Sequence, residues 1–241
     1  MVDPPSMDAK DQAFIHITTG SHRKPMITLH YYPSNASFAP HIVLHELGIP
    51  FELALVDREA GAHKGADYLK LNPNGLITVL VDGDNVLYET AAICLHLADT
   101  HPQAALAPAL GTPERAQMYK WLFWLTNTMQ AMLIHYFYPD RMVASGNVQG
   151  AEQVKAQARA KVGEHLSQID GQLARHGGPW LLGAQYTVVD AMCFMLCRWT
   201  RGFSTRPARD HKHIGPYMKR VSERPAVQRA ITGEKLPPPI Y

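Results

Sequence analysis

The rhythm of apolar and polar positions changes once along this chain, from short apolar runs to long helical repeats. Ile27 to Tyr32 reads as an apolar strand, Pro33-Ser34-Asn35-Ala36-Ser37 as a turn, and Phe38 to about Leu47 as a helix that Gly48 stops. Phe51 to Val56 predicts a second strand. Ile77 to Val81 and Val86 to Tyr88 predict an antiparallel hairpin across Asp82-Gly83-Asp84-Asn85, followed by a helix from Thr90 to about Asp99. Strand, helix, strand implies a right-handed parallel crossover, with the hairpin completing the same sheet. Pro102, Pro108, Gly111 and Pro113 then interrupt the pattern. Beyond them the period is helical: Glu114 to about Phe137, Ala151 to Arg175, Val188 to about Trp199, and Gly215 to about Thr232. The breaks fall at Pro139, Gly177-Gly178-Pro179 and Arg206-Pro207. Thr112 is placed to cap a helix whose first residue is Pro113.

The expected architecture is therefore α/β followed by all-α: a thioredoxin-like βαβ…ββα domain over 26–101, a linker over 102–112, a helical domain over 113–234 and a tail over 235–241. Residues 1–25 read as an extension, in which Ala13-Phe14-Ile15-His16-Ile17 has the pattern of a short extra strand. They lack the basic start and apolar block of a signal peptide. At 241 residues the chain is long enough for two modest cores. A formal net charge of +2 with 18% charged residues gives no electrostatic case for nucleic acid or a membrane surface, so a small-molecule partner is expected. No run of roughly 18 apolar residues is present to span a bilayer. Cys94, Cys193 and Cys197 lie in apolar helix-like segments and are too few for a disulfide framework, which points to a reducing cytoplasm.

Longer motifs carry a family resemblance. Leu71-Asn72-Pro73-Asn74-Gly75-Leu76-Ile77-Thr78-Val79-Leu80, followed by Val86-Leu87-Tyr88-Glu89-Thr90-Ala91-Ala92-Ile93, resembles the glutathione-binding half of glutathione transferases. Pro179-Trp180-Leu181-Leu182-Gly183 with Tyr186-Thr187-Val188-Val189-Asp190-Ala191 resembles the buried capping motif of their helical domain, and its own chemistry is that of a capping box. Glu223-Arg224-Pro225-Ala226-Val227 is similar to the family's last helix pattern, so the resemblance runs from about Met26 to Ile231. It implies a homodimeric enzyme that uses glutathione as co-substrate against a small apolar electrophile. Glu89 and Thr90 open a helix whose free N–H groups suit the γ-glutamyl end of glutathione, the carboxylate on the N–H groups and the ammonium on Glu89.

Tyr31-Tyr32-Pro33-Ser34-Asn35-Ala36-Ser37-Phe38-Ala39-Pro40-His41-Ile42 is similar to the opening of bacterial beta-class transferases. The resemblance puts Ala36 where those enzymes usually carry cysteine, which removes the protein sulfur that thiol–disulfide exchange needs. The sulfur then belongs to glutathione. Ser37 is the leading donor to its thiolate, with Tyr31 and Asn35 as further candidates; a plain helix cap, strand packing and turn geometry are their respective structural alternatives. Thr78 stands where the family has a cis-proline, so Ile77 would present its backbone to the cysteinyl part of glutathione across what energetics predicts to be a trans bond. Gln130 and Ala131 map onto a His-Lys pair of the beta class. Trp124, Met129 and Tyr136, with Met132 and Tyr138, are candidates for an apolar substrate pocket or for core.

The remaining polar clusters predict structure. His211-Lys212-His213 beside Asp210 lacks the three or four converging ligands of a metal site, so no metal is expected. Cys193 and Cys197 share a helix face among apolar neighbours, and His41 and His45 are spaced as helix neighbours. The main alternative to a transferase is a homologue that keeps the fold for ligand or partner binding after losing catalysis. Glutathione-dependent peroxide reduction is a third reading, because it too needs only the thiol of the ligand.

Overall fold

The computed structural model describes residues 26–241, so the segment at 13–17 lies outside the described residues. The first half folds in the order β1 (Ile27–Tyr31), α1 (Phe38–Leu47), β2 (Phe51–Leu55), α2 (Ala66–Leu71), β3 (Val79–Asp82), β4 (Asn85–Tyr88) and α3 (Thr90–Thr100). The sheet order is β2-β1-β3-β4, with β1 parallel to β2 and antiparallel to β3, and β3 antiparallel to β4. This is the expected thioredoxin-like arrangement. Strand alternation sorts the two faces: Leu29 and Leu80 enter the main core, while Val79 joins a smaller cluster with Val56, Tyr68 and Ile77. Gly48 ends α1 because it takes φ 64, and its N–H closes on the carbonyl of His45.

Strand β3 starts two residues later than its apolar run suggests. Tyr68 Oη at 3.0 Å and Asn72 Nδ2 at 2.7 Å both donate to the Leu76 carbonyl, holding 76–78 in a bend before the ladder begins. Both donors come from α2 and its C-terminus, a short helix that the sequence pattern did not announce. The Ile77–Thr78 bond is trans.

The second half is helical: α4 (Pro113–Trp124), α5 (Ala131–Phe137), α6 (Val148–His176), α7 (Val188–Trp199), α8 (Ile214–Ser222) and α9 (Pro225–Gly233). Thr112 caps α4, its Oγ1 accepting from Arg115 N at 3.2 Å. Two departures from the sequence pattern matter later. The helix expected from Glu114 to Phe137 contains a π-helical turn over Leu125–Gln130, so the faces on either side of it are out of simple register. The expected last helix is two, because Pro225 cannot continue a helix and holds Arg224 extended at ψ 135.

Helix α7 explains how the halves join. Its residues from Val188 to Arg198 are all buried, and it packs on α1, α3 and α4. A helix apolar on every side belongs inside a core, and here that core runs continuously from Leu29 and Ile42 to Met118, Val189 and Val227. The capping box starts this helix. Asp190 accepts from Thr187 N at 2.8 Å, Leu181 N at 2.9 Å and Tyr217 Oη at 3.0 Å.

Candidate functional site

A cleft of about 380 Å³ opens between the end of β1 and the helices of the second half. Ser34 and Asn35, from the β1–α1 turn, form one side. Ile134, Phe137 and Tyr138 at the end of α5, with Trp199 at the end of α7, form an apolar wall opposite. Arg58 and Arg201 supply cations, and no carboxylate lines the cleft among the described residues. Arg58 also donates to Tyr138 Oη, tying the two walls together.

Ser34 is the most constrained residue in the cleft. It sits at φ 63, a conformation that costs a side chain of this kind about 1–3 kcal/mol unless its surroundings enforce it. Three distant groups do so. Its N–H donates to Glu234 Oε2 at 2.8 Å, and its Oγ accepts from Arg198 Nη1 at 2.7 Å and Arg201 Nη2 at 3.4 Å. Glu234, just past α9, is itself buried and reaches back through its other oxygen to His41 Nδ1 at 3.1 Å. A hydroxyl has one proton and two lone pairs. With both lone pairs of Ser34 turned to guanidinium groups, its proton is left to donate elsewhere. Burial, then the neighbouring Arg201, pulls the Arg198 guanidinium down to about 10, and its Nε and Nη2 have no partner among the described residues.

The expected thiolate donors are distributed differently. Ser37 is fully buried and off the cleft wall; its Oγ accepts from Tyr32 N at 3.2 Å and donates to Tyr32 O at 3.1 Å, so its single proton is used. It does not cap α1 through its side chain. Tyr31 packs 6.3 Å from the His41 ring, its phenol raised by burial and by Glu234. Asn35 lies on the cleft, and its Oδ1 accepts from Ala36 N at 2.6 Å. Nothing near Ser34 in sequence marks it: its partners lie in α7, in the turn after α7 and beyond α9. The backbone strain at Ser34 is the structural signal that finds it.

Glu89 is another non-glycine residue at positive φ, at φ 74 and ψ 110, where it precedes the first turn of α3; it is exposed and Thr90 is buried. Ile77 and Thr78 are buried beside the bend, and Thr78 Oγ1 has no partner among the described residues. An unpaired buried hydroxyl is destabilising unless a ligand completes it.

Of the aromatic and methionine candidates for a substrate pocket, Tyr138 lines this cleft and Trp124, Met129 and Tyr136 do not. Trp124 stacks edge-on against Trp121 and His165, Met129 is fully buried, and Tyr136 packs on Phe203 at 4.6 Å between centroids. The π-helical turn separates Trp124 from α5, whose end supplies Ile134, Phe137 and Tyr138 to the cleft.

Among the described residues no three His, Cys, Asp or Glu side chains gather as metal ligands. No helix among them is long and apolar enough to cross a membrane. The three cysteines are free and buried, and burial raises the thiol of Cys94. His45, stacked 4.9 Å from His41, is pushed down to about 4 by burial, His41 and Arg229; it lines a broader, shallower depression between α1, β2 and α9.

Comparison with known proteins bears on this geometry. Residues 33–100 match the family description "Glutathione S-transferase, N-terminal domain" and residues 106–225 match "Glutathione S-transferase, C-terminal domain". Glutathione S-transferase GstA of Escherichia coli O157:H7 is 30% identical over 210 residues, covering 86% of this chain and 98% of that protein. A solved glutathione transferase homologue from sulfitobacter, with bound glutathione, superposes with a TM-score of 0.79 at 26% identity, covering 88% of this chain and 99% of that one. The bacterial beta-class enzyme of Sphingomonas chungbukensis gives 0.73 at 30% identity, covering 87% and 100%.

Proposed function

The chain belongs to the glutathione S-transferase family, and from that premise we propose that it binds glutathione between Ile77–Thr78 and Glu89–Thr90 and directs the thiolate into the cleft beside Ser34. The observation that carries this reading is Ser34 itself, strained, held from three sides, and left with a free donor proton on the cleft wall. The family resemblance is the ground for seeking the donor at this turn, and the hydrogen bonding favours Ser34 over Ser37, with Asn35 alongside.

The chemistry follows from charge. A free thiol has a pKa of about 8.5, and a donated hydrogen bond with positive charge behind it favours the thiolate. The Arg198 and Arg201 guanidinium groups polarise the Ser34 hydroxyl from behind, so it meets the sulfur as a strong neutral donor. The thiol proton leaves to water, the sulfur pair attacks the electrophilic carbon, and the leaving group departs with its bonding pair. Ala36 and Thr78 stand, in this reading, where beta-class enzymes carry cysteine and cis-proline, so no protein thiol takes part. The γ-glutamyl group takes the N-terminus of α3, and the buried Thr78 hydroxyl gains a partner in the cysteinyl backbone. We also infer a cytoplasmic homodimer; exposed Phe123 on α4 and Val86 on β4 are apolar surface for such a contact.

Calorimetric titration of glutathione into wild type, Glu89→Ala and Thr78→Val tests the binding half. Millimolar or tighter binding that weakens in both variants is the expected result, with Thr78→Val as stable as wild type or more so without ligand. Glutathione heats that neither variant changes would remove this site. Light scattering on the same samples should give twice the chain mass.

A further inference from the structure

The wall of the cleft is not uniformly apolar, and its exceptions have one sign. Arg58 and Arg201 line it, and neither has a carboxylate within salt-bridge distance among the described residues. Arg201 is half-buried, and burial pulls its guanidinium below the ordinary value. Two of its nitrogens make long bonds, one to the Arg198 carbonyl at 3.2 Å and one to Ser34 Oγ at 3.4 Å. It follows Trp199 in the chain by two residues, and Trp199 meets Phe137 edge-on at 6.4 Å, so a cation lies beside an aromatic slot. A neutral apolar electrophile filling that slot would strip water from guanidinium groups that have no carboxylate partner among the described residues and return nothing. A planar acid would return a charge-assisted, bidentate contact.

We propose that the second substrate is an aromatic or otherwise planar electrophile bearing a carboxylate or similar anion, its ring against Phe137 and Trp199 and its acid group on Arg201, with Arg58 at the far side. This deepens the transferase reading and rests on it for the reacting thiol. For an aryl chloride the glutathione sulfur forms a bond to the ring carbon, the carbon–chlorine bond breaks, chloride leaves with the bonding pair, and the thiol proton passes to water.

The test pairs chloronitrobenzoate with its methyl ester, each rate divided by the uncatalysed rate with glutathione, in wild type, Arg201→Gln and Arg201→Lys. Wild type should favour the acid. Arg201→Gln should lower kcat/KM for the acid about tenfold more than for the ester, the loss common to both substrates reporting its contact with Ser34, with lysine restoring part of the acid-specific loss and glutathione affinity unchanged. Equal losses for acid and ester would overturn the proposal. So would a fall in glutathione affinity itself, which would give Arg201 to a carboxylate of glutathione. If wild type neither binds glutathione nor turns over either compound, the transferase reading fails separately, and nitrobenzoate titrated into the glutathione-free protein decides the acid site. Saturable binding lost in Arg201→Gln keeps it; its absence in wild type ends it.

Discussion

Two buried polar constellations flank helix α7, and they are built on opposite plans. At its N-terminus Asp190 takes hydrogen bonds from Thr187, Leu181 and Tyr217, and the box closes through a residue three positions away. At its C-terminus Arg198 and the following Arg201 converge on Ser34 with nitrogens to spare, while Glu234 holds the Ser34 backbone from behind. The first is local and its charge is saturated with donors. The second is assembled from three remote segments, strained, and left with guanidinium nitrogens that have no partner among the described residues. Satisfied polar groups hold a fold together, whereas strained and incompletely paired ones are where the proposed function places the chemistry.

The largest expected effect comes from breaking the saturated site. Asp190→Ala leaves the Leu181 and Thr187 N–H groups and the Tyr217 hydroxyl buried without an acceptor, a loss of about 3 kcal/mol or more. Thermal unfolding should show a melting temperature lowered by roughly 6–12 °C, with turnover per folded molecule close to wild type. Unchanged stability would dissolve the contrast.

The open site should answer in the other currency. Ser34→Ala is expected to cut kcat about a hundredfold, as loss of a preorganised donor does, with a stability loss of about 1–2 kcal/mol, smaller than that of Asp190→Ala, because the buried Arg198 guanidinium loses its acceptor. Ser37→Ala should do the reverse, loosening the end of β1 through Tyr32 and leaving more of the chemistry intact. Steady-state rates beside unfolding curves for both variants separate the two serines. A folded Ser37→Ala protein as inactive as Ser34→Ala would return the donor role to Ser37.

The smallest effect is one of pH. Burial raises the Asp190 carboxyl to about 6, against the hydrogen bonds that pull it down. The folded state therefore binds a proton that the unfolded chain has released, so this group adds stability as pH falls through 6 and loses it as pH rises again. His45 has the opposite sign: held near 4 by burial, it keeps its contribution above its unfolded value of about 6.5 and loses it as the solution is acidified. Comparing wild type with Asp190→Asn by denaturant titration at pH 7 and pH 5 should isolate about 1 kcal/mol from the first effect. Identical pH dependence in the two proteins would show that Asp190 does not titrate in that window.

What the sequence discloses follows the same division. Strands, the hairpin, α7 and the capping box are written in neighbouring residues, and so are the motifs that identify the family. The β1–α1 turn was recognisable as a candidate site, yet the surroundings of its residues were not, since Ser37 is turned inward by Tyr32 and Ser34 is held by groups far along the chain. The apolar candidates divide in the structure: Tyr138 reaches the cleft, while Trp124, Met129 and Tyr136 pack elsewhere, and the π-helical turn at Leu125–Gln130 is a change of period that the sequence pattern does not show. Arg58 and Arg201 carried no signal at all, because an unpaired cation is visible only once its surroundings are known.

The bond from Glu234 to Ser34 spans 200 residues. Because a ribosome makes a chain in one direction, Ser34 is in place long before Arg198, Arg201 and Glu234 exist to hold it. Molecules clipped ahead of Glu234 would carry every motif of the first domain and still lack the carboxylate that holds the Ser34 backbone.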